Sequence, residues 1–196
     1  MSRPFTKAYE CTRARRAGSG YEVPRSLVLL GIRSSHCARL AKWRYTHSQE
    51  AQMTSQVIAE VLGGRKVLGR TIKNSVDLTE LIRTGLPASA IVALAKKLDL
   101  KNAVISERLG IPQRTLSRRL SQHARLTAAE SDRTVRLARV YATAVEMIGN
   151  AEKAVEWLRT QNPALGGELP LDRLDTDLGA REVEDILGRI AYGVYS

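Results

Sequence analysis

The sequence is poor in cysteine and contains no long apolar run. Its two cysteines, Cys11 and Cys37, are too few for the disulfide framework of a small secreted protein, and the chain shows no secretory signal pattern. They favour a reducing cytoplasm, with a disulfide between them as the alternative. No apolar stretch approaches the roughly 18 residues of a membrane span. We therefore expect a soluble cytoplasmic protein without a membrane partner.

Strand-like alternation is also lacking, and aromatic residues make up only 5% of the 196 residues. Alanine, leucine and arginine are abundant instead, which favours helices over sheets. Helical spacing of apolar residues begins at Thr54 and continues through the rest of the chain. The sequence therefore predicts an all-α fold.

The formal net charge of +11 points to a polyanionic partner. Residues 1–52 contain 10 Lys/Arg and 3 Asp/Glu, residues 53–125 contain 13 and 5, and residues 126–196 contain 8 and 12. The three net charges are therefore +7, +8 and −4. A basic middle and an acidic end imply two surfaces with different partners.

Capping residues and apolar spacing predict where the first helices lie. One helix fits Ser55–Leu62, and the next opens with capping-box spacing between Asp77 and Glu80 and ends at Gly85. Pro87 suits the first turn of a further helix. The apolar face of that helix consists of Ile91, Leu94, Ala95 and Leu98.

The acidic third carries equally clear helix signals. A capping box at Thr127–Glu130 opens a helix that Gly149 ends. Asn150 caps a following helix, which ends at Asn162–Pro163. The last helix has an i, i+3, i+4, i+7 stripe that consists of Val183, Ile186, Leu187 and Ile190.

Residues Asn102–Leu120 have the pattern of a helix-turn-helix. An apolar-studded helix reaches Gly110, where the chain must turn with a positive φ, and an Arg-rich helix follows Pro112. Ser106 is small, as the close crossing of two helices requires. Five apolar residues form the predicted core between the helices: Ile105, Leu109, Ile111, Leu116 and Leu120.

The Arg-rich helix has an outward face that suits DNA. On a helical wheel this face contains Gln113, Arg114, Ser117 and Arg118. Gln pairs with adenine and Arg with guanine through bidentate hydrogen bonds, while Ser contacts bases or phosphates. Three neighbours are expected to contact phosphates: Thr115, Arg119 and Arg125. An ordinary solvated Arg face on a bundle helix is the alternative.

The sequence contains no complete catalytic or metal-binding motif. The segment Gly63–Gly69 lacks the Gly-Lys-Ser/Thr of a phosphate loop and follows no strand. The three histidines, His36, His47 and His123, show no metal-ligand spacing. Three carboxylates, Asp172, Asp175 and Asp177, are more simply helix-start residues that complement the helix dipole than a metal or acid–base pair. We expect no enzyme, no metal and no cofactor.

Residues 1–52 differ from the rest, with many arginines and little periodicity. They fit a basic nucleic-acid arm or a mitochondrial-type presequence. The favoured interpretation is a disordered or mis-assigned upstream extension, with the working protein starting at Met53. The apolar run Leu27–Ile32 is too short for a signal-peptide core.

Three segments together resemble a known family: VLGGRKVLG (Val61–Gly69), TAAESDRTVRLARVYATA (Thr127–Ala144) and the stretch from Ala154 to Ser196. They are similar to the Xre antitoxins of RES–Xre toxin–antitoxin pairs, the Xre/MbcA/ParS group, from about Ser55 onward. The resemblance implies a RES-domain toxin partner that depletes cellular NAD. It also implies that the C-terminal region covers the toxin's active-site cleft and that the complex represses its own promoter.

The C-terminal tail fits such a role. Its two tyrosines could anchor in a nucleotide pocket, although a frayed terminus is the alternative. The residues expected to bind toxin are Arg189, Tyr192, Gly193, Val194, Tyr195 and Ser196.

We therefore expect a disordered or mis-assigned extension over residues 1–52, a helix-turn-helix DNA-binding domain over residues 53–125 and a toxin-binding domain over residues 126–196. A homodimer is expected as well, since helix-turn-helix proteins usually pair half-sites. The alternative function is a stand-alone transcriptional repressor with a helical dimerisation domain. An NAD-binding enzyme is the third interpretation.

Overall fold

The computed structural model describes residues 55–191. Within this range the chain forms α-helices and two 3-10 turns, and its one β-type pairing is an isolated bridge between Pro87 and Arg125. The all-α prediction is confirmed. The α-helices are α1 (residues 55–61), α2 (Gly64–Leu68), α3 (Ser75–Thr84), α4 (Ser89–Lys97), α5 (Asn102–Arg108), α6 (Gln113–Ser121), α7 (Ala128–Ile148), α8 (Ala151–Leu158) and α9 (Asp177–Ala191).

The start of α3 differs from the prediction. The helix begins at Ser75, and its cap is Asn74, whose Oδ1 accepts the backbone N–H of Asp77 at 2.9 Å. Asp77 is the third residue of the helix and accepts the N–H of Lys73 at 2.8 Å. The predicted box between Asp77 and Glu80 is wrong because Asn74, three residues earlier, caps the helix and Asp77 lies inside its first turn.

The end of α8 also differs. The helix stops at Leu158, before the predicted end at Asn162–Pro163. Asn162 instead caps the 3-10 turn Pro163–Leu165, because its side chain accepts the N–H of Ala164 at 2.9 Å. Asn therefore starts the next element rather than closing the previous one.

The longest helix, α7, follows its sequence signals. Thr127 and Glu130 form the predicted capping box, and Gly149 ends the helix with φ 75°. Asn150 caps α8 through a 2.8 Å hydrogen bond from the N–H of Lys153. The prediction of these two helices is confirmed apart from the end of α8.

Helix α7 is the element around which the C-terminal half packs. It contacts α8, α9 and α3, and the 3-10 turn Pro170–Asp175 lies against both α7 and α9. The apolar stripes of α4 and α9 are buried or nearly so, as their spacing predicts. The fully buried side chains of this core include Ile91, Leu94, Leu98, Ile105, Leu116, Val140, Leu158 and Leu187.

Candidate nucleic-acid interface and its link to the C-terminal region

Helices α5 and α6 form the predicted helix-turn-helix. Gly110 turns the chain with φ 67°, and a Cβ there would lie 2.8 Å from the guanidinium of Arg133. Ser106 is fully buried and its hydroxyl donates to the carbonyl of Ile111 across the turn. Helix α6 follows Pro112 without a side-chain cap. The predicted core is buried, with Leu120 only partly so.

The outward face of α6 is cationic and accessible. Gln113, Arg114, Ser117 and Arg118 are all exposed, and Thr115 is half-buried beside them. A shallow depression on this face is lined by Arg114, Thr115, Ser117, Arg118 and Ser121. The helix has no carboxylate of its own, and across residues 55–191 neither Arg114 nor Arg118 has an ion pair. Two free guanidinium groups one turn apart suit a polyanion.

The other two predicted cations have partners within the protein. Arg119 Nη1 lies 2.6 Å from Glu130 Oε2, and these side chains are only 18% and 16% exposed. Arg125 Nη1 donates to the carbonyl of Gly85 at 2.7 Å. The structure therefore brings Arg114, Ser117 and Arg118 together on one open face, while Arg119 and Arg125 are held against neighbouring elements.

Glu130 is the centre of a small polar network. Its Oε2 accepts the backbone N–H of Thr127 at 2.7 Å, the Thr127 hydroxyl at 2.9 Å and the Arg119 guanidinium. Burial by itself would raise the pKa of the Glu130 carboxyl. The hydrogen bonds from Thr127 and Arg119, with the charge of Arg119, outweigh that effect and hold the pKa below its ordinary value.

Helix α7 connects the helix-turn-helix to the C-terminal region through a series of arginines. Arg133 Nη1 donates to the carbonyl of Leu109 at 2.9 Å, at the end of α5. Further along, Arg136 Nη1 donates to the carbonyl of Asp175 at 3.0 Å. Arg139 Nε donates to Glu184 of α9 at 2.8 Å. One helix thus holds both regions.

A cleft of about 430 Å³ lies where the two regions meet, between α5, α7 and the 3-10 turn Pro170–Asp175. Its lining combines apolar residues, among them Leu109, Leu137 and Leu171, with charged ones. Arg108 forms an ion pair with Asp172 at its edge. Sequence reasoning missed this cleft, because its walls are brought together only by the tertiary packing.

Two of the three carboxylates considered as a metal or acid–base pair, Asp172 and Asp177, form ion pairs with arginines. Asp172 pairs with Arg108, and Asp177 lies 2.9 Å from Arg181 and 3.9 Å from Arg139. Over the part of the chain that the structure describes, no group of three or more His, Cys, Asp or Glu could hold a metal ion. In the same part, no helix has both the length and the hydropathy to cross a membrane.

The predicted toxin-binding residues are only partly within the structure. Arg189 is exposed near the end of α9. Val183, Ile186 and Leu187 of the same helix are buried, and Leu178 in its first turn is exposed. The tail residues Tyr192–Ser196 lie outside the described residues, as does the whole of residues 1–54. The predictions made for those two segments therefore stay predictions.

Two family models match the chain in succession. The antitoxin Xre-like helix-turn-helix domain matches residues 77–139. The antitoxin Xre/MbcA/ParS C-terminal toxin-binding domain matches residues 143–193. The first match contains α5 and α6, and the second contains α8 and α9.

Curated relatives agree with both matches. An antitoxin Xre of Yersinia enterocolitica (serotype O:8 / biotype 1B) is 34% identical over 130 residues, which cover 66% of this chain and 88% of the relative. An antitoxin Xre of Pseudomonas putida is 31% identical over 157 residues, 74% of this chain and 98% of the relative. A Prs ADP-ribosylating antitoxin of a Sphingobium species is 27% identical over 130 residues, 62% and 82% of the two chains. The chain therefore belongs to the Xre antitoxin family, and it combines an Xre-like helix-turn-helix domain with a C-terminal toxin-binding domain.

Proposed function

We propose that this protein neutralises a RES-domain toxin that depletes NAD, and that together with the toxin it represses its own promoter. The observation that carries the proposal is the order of two different surfaces on one chain. The open cationic face of α6 lies in the segment matched by the helix-turn-helix domain, and α9 lies in the segment matched by the toxin-binding domain.

DNA binding would use the side chains on the open face of α6. Arg114 and Arg118 can each donate two hydrogen bonds to guanine, and Gln113 can pair with adenine. Ser117 and Thr115 lie beside them and can contact bases or phosphates. A homodimer would present two such faces to half-sites about 34 Å apart, one turn of DNA.

Toxin binding would use the C-terminal end of this chain. Residues 126–196 have a net charge of −4, in contrast to the basic remainder, so this region suits a basic partner surface that itself binds an anionic nucleotide. Arg189 and the tail Tyr192–Ser196 are the proposed contacts, with the two tyrosines as anchors in the toxin's active site.

The name of the Sphingobium relative supports a second candidate partner. That relative is a Prs ADP-ribosylating antitoxin, so a toxin that transfers ADP-ribose to a protein is the alternative to one that only depletes NAD. Both reactions would consume NAD. They differ in whether the ADP-ribose ends up on a protein.

Co-expression distinguishes these partners. The gene adjacent to this one is expressed in a heterologous host with and without the full antitoxin chain, while growth, cellular NAD and ADP-ribosylated proteins are measured. We expect the neighbour alone to stop growth and lower NAD without labelling a protein, and the antitoxin to restore both. A labelled protein would favour the second partner.

The same experiment can contradict the proposal. If the full chain fails to restore growth although it is expressed, the protein does not neutralise the neighbour. A chain that represses its own promoter without any toxin partner would instead be the stand-alone repressor.

A further inference from the structure

Two adjacent arginines on α6 have opposite environments. Arg118 is exposed and lies on the open face, whereas Arg119 is 18% exposed and bonded to Glu130 at 2.6 Å. Successive residues of a helix point about 100° apart, so both cannot face DNA in the same way. Partial burial makes the Arg119–Glu130 pair stronger than an ordinary surface pair, because water screens it less.

Glu130 gives Arg119 a fixed point of attachment. Its carboxylate is held by the backbone and hydroxyl of Thr127 at the rigid start of α7. One turn later on α7, Arg133 holds the end of α5 through the carbonyl of Leu109. The first two turns of α7 therefore hold both helices of the helix-turn-helix.

Helix α6 has few other attachments. It begins after Pro112 without a side-chain cap, and Leu116 is its one fully buried side chain, with Leu120 partly buried. Two leucines fix how deeply the helix sits, but they leave rotation about its axis weakly constrained. A short charged hydrogen bond at the far end of the helix resists that rotation.

We propose that Arg119 and Glu130 form a positioning pair that sets the orientation of α6, so that Arg119 acts on DNA reading through Glu130 and does not contact phosphate. The inference rests on the proposed promoter binding. It assigns a role in recognition to Glu130, an acidic residue outside the reading helix. Binding groups that are held loosely lose affinity even when all of them are present.

The affinity of Glu130→Gln for DNA distinguishes an effect of charge alone from an effect of positioning. This substitution removes a negative charge and frees Arg119, so a purely electrostatic effect would tighten DNA binding. Loss of the positioning pair would instead weaken DNA binding. The glutamine keeps an amide oxygen that can accept the Thr127 N–H, so α7 should keep its cap and the variant should fold.

The test uses the purified full chain and two duplexes, the DNA directly upstream of its own coding sequence and a scrambled duplex of equal composition. We expect Glu130→Gln and Arg119→Gln each to weaken binding to the upstream duplex roughly fivefold to tenfold, the size of a typical net hydrogen bond. The double variant should be no weaker than either single variant, because one interaction is lost in all three.

Salt dependence separates positioning from phosphate contact. The plot of log K against log salt has a negative slope, and loss of one phosphate contact reduces its magnitude by about 0.9. We expect Arg119→Gln to leave that slope unchanged. Arg118→Gln is the matched control, because it removes an equal charge from the open face that lies against DNA and should therefore reduce the magnitude of the slope.

Two results would overturn the positioning pair. One is that folded Glu130→Gln binds the upstream duplex as tightly as wild type or more tightly, and the other is that Arg119→Gln reduces the magnitude of the salt slope by about 0.9. Wild-type protein that binds both duplexes equally would instead contradict promoter reading itself. Circular dichroism of each variant checks that the helices are retained.

Discussion

Gly85 lies where two segments of backbone run side by side. The N–H of Leu126 donates to the carbonyl of Leu86 at 2.8 Å, and the N–H of Ala88 donates to the carbonyl of Ala124 at 3.1 Å. Gly85 itself has φ 86°, and a Cβ there would lie 2.2 Å from the carbonyl oxygen of Leu126. This contact is with backbone, which cannot rotate away.

We therefore expect Gly85→Ala to lower the free energy of unfolding by roughly 2–4 kcal/mol, which combines the cost of a positive φ with a backbone clash. Gly69 is the matched control, because it has φ 74° and nothing within 4 Å of the added Cβ. Its Ala variant should lose only about 1 kcal/mol. Urea unfolding of both variants measures the difference, and equal losses would contradict the predicted clash.

Glu130 should also contribute to acid stability. Burial raises the pKa of the folded Glu130 carboxyl, but the hydrogen bonds from Thr127 and Arg119 together outweigh it, so the folded pKa is lowered. A lowered folded pKa means that the unfolded chain binds the proton more tightly. The stabilisation is therefore complete above the unfolded value of about 4.3 and is lost as pH falls through the lower folded pKa.

Replacement by Gln removes this contribution. Glu130→Gln should be less stable than wild type at pH 7, and the gap between the two should narrow as pH falls from about 5 towards 3. Glu146→Gln, an exposed position on the same helix, is the control. Urea unfolding across this pH range would argue against the effect if the gap stayed constant.

At the scale of elements, α7 belongs to both matched domains. The helix-turn-helix match ends at residue 139 and the toxin-binding match begins at residue 143, both inside Ala128–Ile148. The predicted boundary between residues 125 and 126 lies just ahead of this helix. A helix of 21 residues is about 32 Å long and rigid. No flexible linker therefore separates the two domains within the described chain.

Local signals explain which elements could be predicted. The capping box at Thr127–Glu130 and the caps at Gly149 and Asn150 involve residues within four positions of each other, so the sequence contains the whole interaction. The start of α3 was mispredicted because Asn74 and Asp77 are equally good caps. Only the folded chain shows that they cap the same helix together.

In the candidate site, too, the sequence predicts which side chains are exposed but not which partners the other arginines contact. Helical periodicity correctly predicts that Gln113, Arg114, Ser117 and Arg118 are exposed, because it depends only on the turn of α6. The partners of Arg119 and Arg125 lie 11 and 40 residues away. In both cases the partner lies outside α6, so no helical pattern in the sequence indicates that these arginines are engaged.

At the scale of the whole molecule, charge separates the two functions. The proposed DNA face lies in the segment with net charge +8, and the proposed toxin contacts lie in the segment with net charge −4. Arg114 on α6 and Arg189 on α9 are each exposed on a different domain. If the two surfaces act independently, substitutions should affect one function at a time.

We expect Arg114→Ala to weaken binding to the upstream duplex by roughly 1–3 kcal/mol, the cost of a lost base contact, while protection from the toxin is retained. A chain that ends at Ala191 should lose protection but keep DNA binding, since it lacks the proposed tail and retains the whole of α6. Binding is measured by fluorescence anisotropy, and protection by growth with the co-expressed toxin. Loss of both functions in either variant would show that α7 couples the surfaces instead of only connecting them.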